Sequence, residues 1–228
     1  MGKAIPTVEG WHSQHMVFAM DFSAWNCFTE DEKAAARNEL KAFLAELEAT
    51  HQAKEGSYAF YDCNGAKGDL ILWILGPSLE YLAQVERKFR RLAIASVLVQ
   101  TYSYTSVTEV SAYVKAKLDT EEVNKKLYPH VPRDKYICFY NMTKKRDGAD
   151  NWFMLPQQER GALMRSHGEL GKTYLDVLSE YTTGGVGLDD WEWGVTILSD
   201  DDIQFKKIVY DMRFEVASAK YGIFSDFY

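Results

Sequence analysis

The order of strand and helix signals, met twice in 228 residues, predicts an α+β fold: duplicated ferredoxin-like (β-α-β-β-α-β) repeats forming a dimeric α+β barrel within one chain. Three observations carry this reading. The succession of elements in residues 1–116 returns in residues 135–228. The stretch "DLILWILGPSLEYLAQVERKF" has the same apolar-run, polar-turn, amphipathic-helix pattern as "WEWGVTILSDDDIQFKKIVYDMRF". A ferredoxin-like unit covers one face of its sheet with helices, so two such sheets can meet on their other faces.

In the first repeat, "HMVFAMDFSAW" reads as a strand. "TEDEKAAARNELKAFLAELEAT" reads as a helix, with Thr29 as N-cap and Glu30, Asp31 and Glu32 favourable in its first turn. "YAFYDC" and "DLILWILG" flank the turn "NGAKG", a hairpin signal. "SLEYLAQVERKFRRLAIA" gives a second helix and "TYSYTSVTEV" a closing strand. Residues 117–134 are polar, contain Pro129 and Pro132, and read as a linker. The second repeat then gives the strand "KYICFYNM" and a helix entered at Pro156 and continued to Tyr181. After the loop "TTGGVGLDD" come the strand "WEWGVTILS", a helix beginning "DDIQF", and the short strand "IFSDFY".

Charge and composition exclude several function classes. A net charge of −7 disfavours a general nucleic-acid or anionic-membrane surface, because neutralising phosphates needs a basic field. No apolar run approaches membrane-spanning length, and "MGKAIPTVEG" has no apolar targeting core. Cys27, Cys63 and Cys138 are far apart, odd in number and in no metal-ligand spacing. They read as buried free thiols of a cytoplasmic protein.

The special residues concentrate in the second repeat. Along the helix 156–178, Leu163, Met164, His167, Leu170, Tyr174, Val177 and Leu178 fall at helical spacing, which puts His167 in a core-facing slot. A histidine satisfied by a backbone carbonyl is the plainer reading of such a slot. Yet Gly168 and Gly171 follow it, each costing about 1 kcal/mol in a helix interior. Glycines there clear room for something large. A zinc site needs several protein ligands, whereas a lone histidine beside an apolar space suits the iron of a haem. At the end of the strand "KYICFYNM", Tyr140, Met142 and Lys144 share one face if the chain stays extended. A cation there could pair with the carboxylates of a haem-like ligand. Arg213 and Ser218 lie close enough in sequence to meet such a carboxylate together. Lys145 and Arg146 read as surface residues.

These stretches, from "YICFYNMTKKR" through "NWFMLPQQERGALMRSHGELGKTY" and "GLDDWEWGVTILSDD" to "IVYDMRFEVASAKYG", resemble the coproheme decarboxylases, chlorite-dismutase-like haem proteins. The resemblance implies a homopentamer that binds porphyrin in its C-terminal half. It also implies that iron-coproporphyrin III and two hydrogen peroxides give haem b and two CO2. By resemblance, His167 is the axial iron ligand, Tyr140 the tyrosine whose radical attacks the reactive propionate, and Lys144 the lysine beside that propionate. Met142, Arg213 and Ser218 match propionate contacts, and Tyr104 is a further candidate. Two positions depart from many relatives. Glu180 stands where they carry a distal glutamine, and Lys126 where they carry a propionate-binding arginine. Lys126 keeps the charge and loses the bidentate fork. Glu180 can act as a base toward peroxide if it faces inward, and it repels chlorite. The rival readings are a non-catalytic haem carrier, a haem peroxidase, and a cofactor-free α+β barrel.

Overall fold

The computed structural model describes residues 4–111 and 119–228. The chain forms two compact units. The N-terminal unit contains residues 9–110 and 119–131, and the C-terminal unit contains residues 132–227. The start of the expected linker, residues 117–118, and the end of the expected first repeat, residues 112–116, lie outside the described residues, as do residues 1–3.

In the N-terminal unit β1 (Thr7–Met20) is followed by the helices α1 (Phe22–Cys27) and α2 (Glu30–Gln52). Then come β2 (Ser57–Asp62), β3 (Leu70–Gly76), α3 (Leu79–Phe89) and β4 (Leu98–Ser111). The expected strand 15–25 therefore stops early. Asp21 caps a helix instead, its carboxylate accepting from the Ala24 N–H at 2.9 Å. The helix predicted from Thr29 has a capping box: the Glu32 N–H donates to Thr29 Oγ1 and the Thr29 N–H to the Glu32 carboxylate. Gly65, at φ +104°, turns the β2–β3 hairpin, a conformation that favours glycine.

Strand order in this sheet is β2-β3-β1-β4. Met16, Phe18, Leu72 and Ile74 project from one face into a core with Phe43 and Leu47 of α2 and Leu82, Val85 and Phe89 of α3. Alternate positions supply the other face. There His15 is fully buried and stacked on Trp73, with ring centroids 5.0 Å apart.

Of the segment expected to be a linker, residues 119–131 belong to this unit, and residues 132–134 to the C-terminal one. Asp119 caps the helix α4 (Thr120–Leu127), whose Val123 and Leu127 are buried. The Thr108 hydroxyl donates to the Leu127 carbonyl at 2.7 Å, and the Val131 N–H donates to Ser57 Oγ at 3.0 Å. The apolar positions 123, 127 and 131 fall at helical spacing, a signal that the polar majority of the segment hides.

The C-terminal unit runs β5 (Tyr136–Lys144), α5 (Gln157–Lys172), β6 (Ser179–Gly184), β7 (Trp193–Ser199), α6 (Ile203–Met212), α7 (Val216–Ala219) and β8 (Gly222–Phe227). Its sheet order is β6-β7-β5-β8, the same permutation as in the first unit. The expected helix to Tyr181 is corrected here. It begins after Pro156 as read but ends at Lys172, and residues 179–184 form a strand antiparallel to β7. Gly171 and Thr173 weaken the helix end, and the β-branched pair Thr182–Thr183 suits the pleated strand that follows. Cys138, Val195 and Ile197 of the sheet pack against Ile208 of α6 and Leu178, with Tyr140, Met142, Phe205 and Met212 around them. This is the helix-covered face of the sheet. Cys138 is buried, but Cys63 is only partly buried and Cys27 is exposed, so the expectation of three buried thiols is corrected. No described helix is long and apolar enough to cross a membrane.

Candidate functional site

The site grows from β5. In register, Tyr140 lies between Val195 of β7 and Phe227 of β8, and Met142 between Trp193 and Phe224. The Tyr140 ring stacks on Phe227 at 4.5 Å and tilts against Phe224 at 6.1 Å. Burial pushes the phenol well above its usual pKa, and the charge of Glu180 raises it further. The group therefore stays protonated throughout the neutral range.

Glu180 is exposed and lies on β6, not at a helix end. It stands opposite Ile197, which stands opposite Cys138, two residues from Tyr140 on the same face. The carboxylate thus shares the helix-covered face with Tyr140.

His167 lies on α5, a helix with no fully buried residue. The expectation of a core slot is corrected to a half-buried one: the His167 side chain is 26% exposed. Met164 and Val177 of its predicted apolar stripe are exposed, and Tyr174, Val177 and Leu178 lie beyond the helix end. Gly168 is exposed, so a side chain there would meet only solvent, and one at Gly171 would touch Met212 Cε at 3.5 Å. His167 Nδ1 is 3.4 Å from a carboxylate oxygen of the buried Glu215, a close contact without an aligned hydrogen bond. Burial lowers the His167 pKa, while Glu215 pulls it back up. An imidazole whose Nδ1 faces a carboxylate keeps Nε2 for a metal, the arrangement typical of ligating histidines. Among the described residues, no three His, Cys, Asp or Glu side chains gather to hold a bare ion.

Lys144 does not lie free at the strand end. It is 5% exposed, and its ammonium donates to the Ala217 carbonyl at 2.7 Å and stands 5.0 Å from the Trp152 ring centre. Its backbone N–H donates to Glu192 at 3.0 Å, and Arg146 pairs with the other oxygen of the same carboxylate. Burial pushes the Lys144 pKa down to about 8, although Glu215 and Glu192 favour its charge. The expected surface residue Arg146 is exposed, yet it is tied to the buried Glu192 and lies over Phe153.

Ser218 is buried in α7, whose start is capped by Glu215 accepting from the Ala217 N–H. Arg213, at the end of α6, lines an open cleft of about 270 Å³ with Cys138, Phe205, Lys206, Val209 and Phe227. The C-terminal unit thus contains Tyr140, Met142, Lys144, His167, Glu180, Arg213 and Ser218. Lys126, exposed on α4, and Tyr104, fully buried 6.4 Å from the ring of His15, belong to the N-terminal unit. Sequence reasoning missed Glu215, Glu192 and Lys206. Glu192 left a faint signal, an acid between two tryptophans at a strand entrance.

Proteins of known structure share this architecture. A heme-binding protein from Thermus thermophilus, identified by structure-based functional analysis, is 42% identical. The match covers 100% of this chain and 92% of that one, with a TM-score of 0.94. Chlorite dismutase from Candidatus Nitrospira defluvii, in complex with imidazole, is 18% identical over 95% of this chain and 88% of its own, with a TM-score of 0.74. The putative chlorite dismutase TA0507 is 16% identical over 96% of this chain and 92% of its own, with a TM-score of 0.75. At those lower identities the likeness is one of fold. The family profile described as chlorite dismutase matches residues 33–228. With most of its length accounted for in this way, the chain belongs to the chlorite dismutase family.

Proposed function

We propose that the chain binds iron-coproporphyrin III against the helix-covered face of its C-terminal sheet. There it uses hydrogen peroxide to convert two propionates to vinyl groups, giving haem b. The observation that carries this reading is one unit holding both a histidine backed by a buried carboxylate and a half-buried phenol packed between Phe224 and Phe227. The residues fit the ligand. A metalloporphyrin brings its own ring nitrogens, and His167 would hold its iron with Nε2, because Glu215 faces Nδ1. The apolar surface of Phe205, Val209 and Phe227 suits the macrocycle, and Lys206 and Arg213 on the same cleft suit its carboxylates.

Once bound, the iron porphyrin supplies the two-electron chemistry with peroxide. Tyr140 gives up one electron and its phenolic proton together, since burial disfavours the phenolate. The resulting phenoxyl takes a hydrogen atom from the propionate β-carbon, and loss of one more electron releases CO2. Each propionic acid and one peroxide thus yield one vinyl group, one CO2 and two waters. Glu180, on the same face, serves as base for the peroxide proton. Lys144 reaches a propionate only after leaving the Ala217 carbonyl. Tyr104 and Lys126 enter no step.

The matching strand orders of the two units support reading each as a ferredoxin-like repeat. The resemblance alone supports a homopentamer, and the cytoplasmic location rests on the unpaired cysteines.

A second reading, a haem carrier without chemistry, is favoured by the description of the 42% identical relative as a heme-binding protein. Tyr140→Phe separates the two. Under the proposed function the variant binds ferric coproporphyrin III as the wild type does and releases no CO2 with peroxide. Full CO2 release by the variant would remove Tyr140 from the mechanism.

A further inference from the structure

Besides Tyr140, the C-terminal unit holds a pair of oxidisable rings that packs against the helix of His167. Trp152 and Tyr221 are 6% and 2% exposed, with ring centroids 5.3 Å apart at 61°. They pack with Ala217 and with Leu163, one helical turn before His167 on α5. An oxidising equivalent generated beside His167 would find these rings as well as Tyr140.

The three rings differ in the charges around them. The Lys144 ammonium stands 5.0 Å from the Trp152 ring centre, and the Lys220 ammonium stands 5.2 Å from that of Tyr221. The stacking partners of Tyr140 are Phe224 and Phe227, and its ionisable neighbours are Glu180 and Cys138. A fixed cation opposes removal of an electron from the ring it faces, and an anion favours it. Glu215, Glu192 and, at 3.4 Å from Lys220, Asp150 temper the two ammonium charges. Lys144, buried and held at 2.7 Å by the Ala217 carbonyl, is nevertheless fixed over the indole.

We infer that Lys144 is a specificity-determining residue: its ammonium protects Trp152 from one-electron oxidation, which directs the oxidising equivalent to Tyr140. The use of this protection rests on the proposed peroxide chemistry, but the protection itself can be measured without a porphyrin. In the unprotected case, Trp152 would lose one electron to the oxidant and be left as a radical cation. That is the state a neighbouring ammonium destabilises most.

The test is photochemical. The full chain without porphyrin is flashed with tris(bipyridine)ruthenium and persulfate, and oxidised tryptophan is mapped by mass spectrometry. Lys144→Met should raise oxidation at Trp152 roughly tenfold or more relative to the other tryptophans, while Lys144→Arg should leave it near the wild-type level. Unchanged oxidation at Trp152 in a folded Lys144→Met protein overturns the inference. If Lys144→Met does not fold, Trp152→Phe decides in the Lys144 background. The yield of oxidised Tyr140 should be unchanged from the wild type, and a severalfold rise would show that Trp152 was competing all along. Freeze-quench EPR with ferric coproporphyrin III and peroxide then tests the function separately. Absence of a Tyr140 radical there refutes the decarboxylase reading and leaves the photochemical result standing.

Discussion

Replacing Glu215 by Gln keeps the shape of the side chain and an oxygen to cap α7, but removes the negative charge 3.4 Å from His167 Nδ1. At an effective dielectric of about 20, unit charges at that separation interact by roughly 5 kcal/mol, an upper bound. The Glu215 side chain is 5% exposed and that of His167 26%, so water screens part of this. His167 is already held below its ordinary value by burial, so the variant should titrate lower still. The sign for stability follows from proton uptake. A histidine with a depressed folded pKa binds fewer protons than the unfolded chain, so stability falls as pH drops below about 6.5. In Glu215→Gln that fall should be steeper and continue further. The assay is NMR titration of the His167 imidazole, with urea unfolding at pH 7.5 and 5.0. An imidazole pKa unchanged in the variant, or raised, would refute the electrostatic account of this pair.

The Tyr140 phenol should stay silent in an alkaline absorbance titration. Wild type and Tyr140→Phe should give the same phenolate signal at pH 11, and a larger signal from the wild type would contradict the burial argument. Because its folded pKa is raised, Tyr140 contributes stability that is complete below about pH 10 and is lost as pH climbs toward the folded value, so Tyr140→Phe should unfold less steeply in alkali. Gly10→Ala places a methyl group 2.1 Å from the Leu127 carbonyl oxygen. It should cost about 1–3 kcal/mol or more in urea unfolding. A neutral result would mean that α4 can move away from β1 without loss. Arg213→Gln combined with Lys206→Gln removes both cations of the cleft and should weaken binding of ferric coproporphyrin III roughly tenfold or more, with a shallower salt dependence. Unchanged affinity would place the carboxylates elsewhere.

Local physics made much of the fold legible. The capping box at Thr29 and Glu32, the hairpin turn at Gly65 and the entry of α5 after Pro156 each depend on a few neighbouring residues. The strand β6 was hidden because Leu178 and Tyr181 continue a helical spacing, and only pairing with β7 decides the matter. The helix α4 was hidden because its buried stripe is narrow and its cap, Asp119, sits in a charged stretch. Of the site, the alternation of Tyr140, Met142 and Lys144 along β5 could be read, since every second residue of a strand shares a face. The direction of the Lys144 ammonium could not. It depends on the Ala217 carbonyl and the Trp152 ring, brought in from elsewhere in the sequence. Glu215 escaped for the same reason: its meeting with His167 is a contact between α7 and α5 that no spacing announces.

The central claim is that this chain oxidises its porphyrin and does not merely hold it. The most direct measurement loads the protein with ferric coproporphyrin III, adds hydrogen peroxide in substoichiometric steps, and follows the porphyrin by mass spectrometry. Two successive losses are expected, each of CO2 and two hydrogens, ending at haem b after about two equivalents of peroxide, one for each propionate. Tight binding followed by bleaching, with every propionate intact, would contradict it.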